Sequence, residues 1–404
     1  MLHLPVKEFE VHLWLGNPHL MTLVAEYWPR NLSALPPASE RLFNVETGTQ
    51  LLAKCHWQAM PPRHPTLVLV HGLEGSSESR YMLGIAEKAF AAGLNVLRVN
   101  QRNCGSTEHL TPTLYESGLS SDYRAVLEEL IEKEHLPAIF YAGYSMGGNL
   151  GVKMAGEFGA HPPRELRGVC AVCPSLDLAA SSAASDERTN LLYKWYFLWS
   201  FKRRLRRKAE LFPERYHAVG LWRLHTMHQW HETITAPACG YRDAADYYYR
   251  ASALRVIDQI RVPTLILAAQ DDPIIPIASF RNAKIVDNPF ITLVTPEHGG
   301  HCGFVSRNNG DERFWAESRI VDFCTQHLEI SKTQRSKLES RVSNLRIKND
   351  EIRGAQNDAD AGGVHIGVGR GDLAGWPRED LKGIPKPQIL QQGSVLSMLL
   401  PRAA

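Results

Sequence analysis

No run of this sequence stays apolar for the roughly 20 residues a bilayer-spanning helix needs. The N-terminal stretch MLHLPVKEFEVHLWLGNPHL lacks the basic start and apolar centre of a secretory leader. Both absences predict a soluble, cytoplasmic protein. An excess of one charge is missing too. Lys and Arg number 45 against 43 Asp and Glu, a formal net of +2, so no global field invites nucleic acid or a polyanionic substrate. A cysteine framework is also absent: seven cysteines are spread over 404 residues. The one C-x-x-C, Cys170 to Cys173, sits in the apolar run GVCAVCPSLDL with no second pair and no histidine near it. It reads as buried core rather than a zinc or redox site, and a reducing, intracellular compartment follows. Internal repeats are not visible.

What is present is alternation. Six short aliphatic runs, at 66–70, 95–100, 138–144, 168–173, 264–269 and 291–295, are apolar on both faces, as interior strands of a helix-covered parallel sheet must be. Between them lie helical patterns such as SSDYRAVLEELIEKEH, with Tyr123, Val126, Leu127, Leu130 and Ile131 on one stripe. The fold class this predicts is α/β, a mostly parallel, doubly wound sheet. The alternation stops at about 179–252, a stretch dense in aromatics and bases, which reads as a helical cap inserted between late strands. One domain is therefore expected over 1–329. A polar helix with a thin stripe (Leu338, Val342, Leu345, Ile352) is expected over 330–354. Beyond it, 355–404 is Gly-, Asp- and Pro-rich and reads as a disordered tail.

Several residues could carry chemistry. Gly143-Tyr-Ser145-Met-Gly147 fits G-x-S-x-G, follows a strand run and precedes a helix start, the setting of a nucleophile elbow. The loop HGLEGSS, 71–77, follows an earlier strand and could supply one oxyanion N–H from Leu73, with Met146 supplying the other. Later loops at strand ends offer Asp271 and Asp272 in QDDPIIP, then His298 and His301 in EHGGHCGF. The order Ser, Asp, His is the one this architecture uses. A serine hydroxyl needs a neutral imidazole to take its proton and a carboxylate to hold that imidazole. Asp272 is favoured over Asp271 because DPIIP can turn a carboxylate back along the strand edge. His301 is favoured over His298, which is expected to support the loop.

Together these motifs, with GNPHLMTL (16–23), NQRNCGS (100–106), YESGLSSD (115–122) and TAPACGYRDAADYYYRAS (235–252), resemble the α/β-hydrolase superfamily, and within it the YheT-like branch. That branch is related to the eukaryotic lung-type and ethanol-acyltransferase-type α/β-hydrolases. The resemblance spans about Leu15 to Gln326. It implies an α/β-hydrolase fold, a catalytic triad of Ser145, Asp272 and His301, ester cleavage, and neither metal nor organic cofactor. Two departures stand out: Asn103 where the family has glycine, and Glu116 where it has histidine. Both could line the site and alter substrate preference.

Acyl transfer and a non-catalytic descendant are the alternatives. Some acyltransferase relatives carry His-x-x-x-x-Asp, and none of the 17 histidines here has Asp five positions on. The intact Ser, Asp, His and oxyanion loop argue against lost chemistry. The expected partner is a small-molecule ester with a hydrophobic, short- to medium-chain acyl group. In the cap, YKWYFLWSFKRRLRRK sets Trp195, Tyr196, Phe197 and Trp199 beside a basic run. Packing of those aromatics is preferred to peripheral membrane contact.

Overall fold

The computed structural model describes residues 6–329 except 31, 34 and 309; the helix and tail expected over 330–404 lie outside the described residues. Eight strands form one sheet in the order β1-β2-β4-β3-β5-β6-β7-β8. The strands are β1 Ser39–Glu46, β2 Thr49–His56, β3 Thr66–Val70, β4 Asn95–Val99, β5 Ile139–Tyr144, β6 Leu166–Val172, β7 Thr264–Leu267 and β8 Ile291–Val294. β1 pairs antiparallel with β2, and β2 with β4; every other pairing is parallel. The six expected strand runs are β3 to β8. The hairpin β1–β2 was not expected. Its burial alternates along each strand, so it lacks the two-faced apolar signature of its neighbours.

Successive residues of β3 fall into different cores. Val68 and Val70 pack with Tyr123, Val126 and Leu127 of α3 (Ser120–Glu132) and Leu150 of α4 (Met146–Phe158). Leu67 and Leu69 pack with Met82, Ile85 and Ala86 of α2 (Arg80–Ala91) and with the helix at 315–329. Helices on both faces explain why the central strands carry no polar face. An N-terminal helix, α1 (Pro18–Tyr27), starts at an Asn17 cap with proline in its first turn.

Among the described residues no strand lies between β6 and β7. That interval holds the cap: α5 (Leu178–Asp186), the long α6 (Leu191–Leu211), and short helical pieces from Met227 to Ala251. Leu198, Phe201, Leu205, Met227 and Trp230 form a small core of its own. No described helix is long and apolar enough to cross a membrane.

Candidate active site

The site begins at a strained turn. Ser145 caps α4 at φ 51°, ψ −115°, a region in which a non-glycine residue costs about 1–3 kcal/mol. The flanking glycines are required by space. A Cβ on Gly143 would lie 2.2 Å from the Gly147 carbonyl oxygen, and one on Gly147 would lie 2.5 Å from that of His71. So the G-x-S-x-G pattern is a packing necessity of this elbow. The Ser145 N–H donates to the Val172 oxygen at 2.8 Å. Buried Asn149 ties the new helix to Ser117, Ala251 and Ala253.

Three sequence-predicted residues meet here in a line. His301 Nε2 lies 3.0 Å from Ser145 Oγ, and Nδ1 lies 2.8 Å from Asp272 Oδ2. The other Asp272 oxygen accepts the N–H groups of Ile274 and Ile275 at 2.8 and 2.9 Å. That carboxylate is 2% exposed. Asp271 faces elsewhere. It accepts the Gly300 N–H at 2.9 Å and lies 3.2 Å from His298 Nδ1, so this pair braces the loop that carries His301. Burial opposes a charge on His301, but the carboxylate of Asp272 and the sulfur of Cys302 outweigh it. The ring therefore holds a proton well above the ordinary histidine range.

The loop at 71–77 abuts the elbow: a Cβ on Gly72 would come within 3.2 Å of Ser145 Cβ. Burial pulls His71 down to about 4, so its ring is neutral. It accepts the Gln101 N–H at Nε2 and reaches the Gly72 oxygen through Nδ1 at 2.7 Å, which assigns the Nδ1–H tautomer. Leu73 follows on this loop. Met146 is the first residue of α4, where an N–H has no partner within the helix. Both line the cavity that contains Ser145.

Some participants were not legible in advance. Thr22 of α1 accepts the His301 N–H at 2.8 Å. Gly300, at φ 55°, leaves no room for a side chain against the Pro18 oxygen. The motif GNPHLMTL thus belongs to the site, buttressing the histidine loop from outside the sheet. Cys173 is buried as expected, but it also backs this loop: Cys302 N–H donates to its sulfur at 3.3 Å. Cys173, Cys302 and His301 lie within 4.8 Å of one another. Both ring nitrogens of His301 are already committed, so a metal held there would break the line to Ser145. The two departures also resolve. Asn103 sits at φ 64°, a conformation glycine and asparagine tolerate best. Glu116 is buried on the cavity wall beside Gly118 and Tyr241, and burial raises it to about 7.

Two cavities meet at Ser145 and His301. One, of about 110 Å³, lies under the cap and is lined by Leu114, Phe201, Leu205, Met227 and Trp230 as well as Glu116 and several serines. The other, of about 380 Å³, opens between α1 and α6 past Tyr81 and Cys302.

The comparisons agree with this architecture. The alpha/beta hydrolase fold family matches residues 65–307. YheT of Escherichia coli strain K12, named as an esterase, is 30% identical over 322 residues, covering 78% of this chain and 92% of that protein. Phospholipase ABHD3 of mouse is 27% identical over 242 residues, 60% of this chain and 58% of that one. Monoacylglycerol lipase of Saccharomyces cerevisiae is 26% identical over 263 residues, 63% and 57%.

Proposed function

The chain belongs to the α/β-hydrolase fold family as an esterase/lipase-type ester hydrolase, and we propose that it cleaves short- to medium-chain carboxylic esters through Ser145, His301 and Asp272. The observation that carries this reading is the unbroken hydrogen-bonded line from Ser145 Oγ through His301 to Asp272 at the junction of two cavities. In its neutral form His301 takes the Ser145 proton as the oxygen attacks the ester carbonyl. Asp272 holds the ring and stabilises its charged form. The N–H groups of Leu73 and Met146 receive the developing oxyanion, each contributing roughly 3 kcal/mol in sites of this kind. His301 then protonates the departing alcohol and activates the water that releases the acid. Neither a metal nor an organic cofactor has a place in these steps.

The cap cavity, with its aromatic and aliphatic wall, suits the acyl chain. The second cavity, between α1 and α6, is then left for the alcohol. It also supports a second reading, in which a bound alcohol rather than water resolves the acyl-enzyme. Labelling with a fluorophosphonate probe, alongside hydrolysis of p-nitrophenyl acetate to decanoate, tests both. Wild type should label and turn over, and Ser145→Ala should do neither while staying folded. Labelling without hydrolysis that is rescued by added alcohol would favour transfer. Full activity in Ser145→Ala would falsify the assignment.

A further inference from the structure

Helix α6 carries more apolar surface than packing uses. Phe201 and Leu205 turn inward to the cap cavity, but Leu192 is 78% exposed, Trp195 72%, Tyr196 54% and Trp199 56%. Their spacing of i, i+3, i+4 and i+7 puts all four on one face of the helix. Exposed Arg203 and Arg206 continue that face. The Arg203 guanidinium lies over the Trp199 ring at 4.7 Å.

A second helix extends the surface. On α1, Leu20, Leu23 and Tyr27 are also exposed. The two helices touch: His19 Nδ1 is 3.3 Å from the Tyr193 hydroxyl, with the rings stacked. Leu23 and Tyr27 of α1, with Leu192 and Tyr196 of α6, line the open cavity that leads to Ser145 and His301. Single exposed apolar residues are ordinary, but a cluster around an opening marks a contact surface. This changes the preference set by the sequence, where the cap aromatics were expected to pack.

We propose that the α1–α6 face docks on an anionic lipid surface, so that lipid-borne esters enter the open cavity directly. Charge and residue type select this occupant. Tryptophan and tyrosine favour the lipid–water boundary, where an apolar ring meets a wet edge, and Arg203 and Arg206 meet anionic headgroups. Of the carboxylates lining this cavity, Glu74 is paired with Arg204, and Glu26 lies in the field of Arg30 and Arg80. A second copy seated face to face would set the arginines of both copies against each other.

The test is co-sedimentation of the full chain with vesicles of phosphatidylcholine, alone or mixed with phosphatidylglycerol. Binding is expected to the mixed vesicles, weakened by salt, with a blue shift in tryptophan emission. Trp195→Ser with Trp199→Ser should weaken it more than about tenfold. Arg203→Gln with Arg206→Gln should cost roughly fivefold per arginine and remove the preference for the anionic lipid. Neither pair lines the two cavities at Ser145, so both variants should turn over soluble p-nitrophenyl acetate as wild type does and lose rate only on esters carried in vesicles. The proposal rests on the ester-hydrolase reading for that last comparison alone: Ser145→Ala, whatever its activity, should bind vesicles normally. Absence of wild-type binding at low salt, equal binding by the tryptophan variant, or concentration-dependent dimers abolished by that variant would each overturn it.

Discussion

At the scale of single residues, two aspartates and two histidines compete in sequence, and geometry separates their duties. Asp272 holds His301 while Asp271 holds the loop. Asp272→Asn should lower kcat by about 10⁴, the effect of fixing the wrong tautomer, and Asp271→Asn should cost far less; comparing their steady-state rates decides it. Cys302 lies beside the proposed base, His301. Burial opposes ionisation of its thiol, but hydrogen bonding from Cys173 and the charge on His301 bring it below the ordinary thiol range, and its negative charge in turn favours the imidazolium. Removing it makes the neutral base available sooner, so Cys302→Ala should move the acid limb of kcat/KM to lower pH. An unmoved limb would show that Asp272 alone sets the proton affinity. Glu116 gives a stability test. Burial raises its folded value to about 7, above the unfolded value of about 4.3. Its contribution is complete below the unfolded value and is lost as pH rises through the folded one. Glu116→Gln should therefore be more stable than wild type above pH 7, by up to about 3 kcal/mol, with the gap closing toward pH 4 in paired denaturant titrations.

At the scale of elements, the cap is fastened to the loop at 71–77 through a buried ion pair. Arg204 of α6 meets Glu74 at 2.7 Å, beside Leu73, and also donates to the Asn103 oxygen. Tyr115 and Ser200 hydroxyls donate to the same carboxylate. Burial would raise Glu74, but the Arg204 charge and these hydrogen bonds outweigh it and hold it below its ordinary value. The stability this provides is present above the unfolded carboxylate range and is lost as pH falls through the folded value. Arg204→Met, which strands the buried carboxylate, should cost about 3–5 kcal/mol near neutrality. The deficit relative to wild type should shrink in acid, which melting curves across pH would follow. No sequence pattern announces this pair, because its members are 130 positions apart. The same reason hid Thr22 and the contact between Cys173 and Cys302. Legible in advance were features whose pattern is local: β3 to β8, each apolar on both faces because helices cover both, and the elbow, whose five-residue motif is contiguous even though Gly147 is dictated by the distant His71 oxygen. The hairpin β1–β2 escaped because one alternating face in eight residues is a weak signal beside such runs, even with Gly48 at its turn at φ 72°.

For the molecule as a whole, the consequential feature is that two cavities walled largely by different elements converge on one serine. If the cap cavity holds the acyl chain and the open cavity the alcohol, the two specificities belong to different elements and can be changed separately. Phe201 lines the first and Tyr196 the second. Phe201→Leu removes ring volume while keeping the site apolar, and should move the acyl-length optimum of kcat/KM upward by about one or two methylenes, each worth about 1–3 kcal/mol of discrimination. Its profile across alkyl alcohols of a fixed acid should stay as in wild type. Tyr196→Ala should do the reverse, flattening the alcohol profile and leaving the acyl optimum in place. In the double variant both shifts should persist, although Phe197 touches both rings and so couples their free-energy changes. A single substitution that shifts both profiles would mean that substrate occupies one continuous channel through the site, and the division of labour between cap and α1–α6 opening would have to be abandoned.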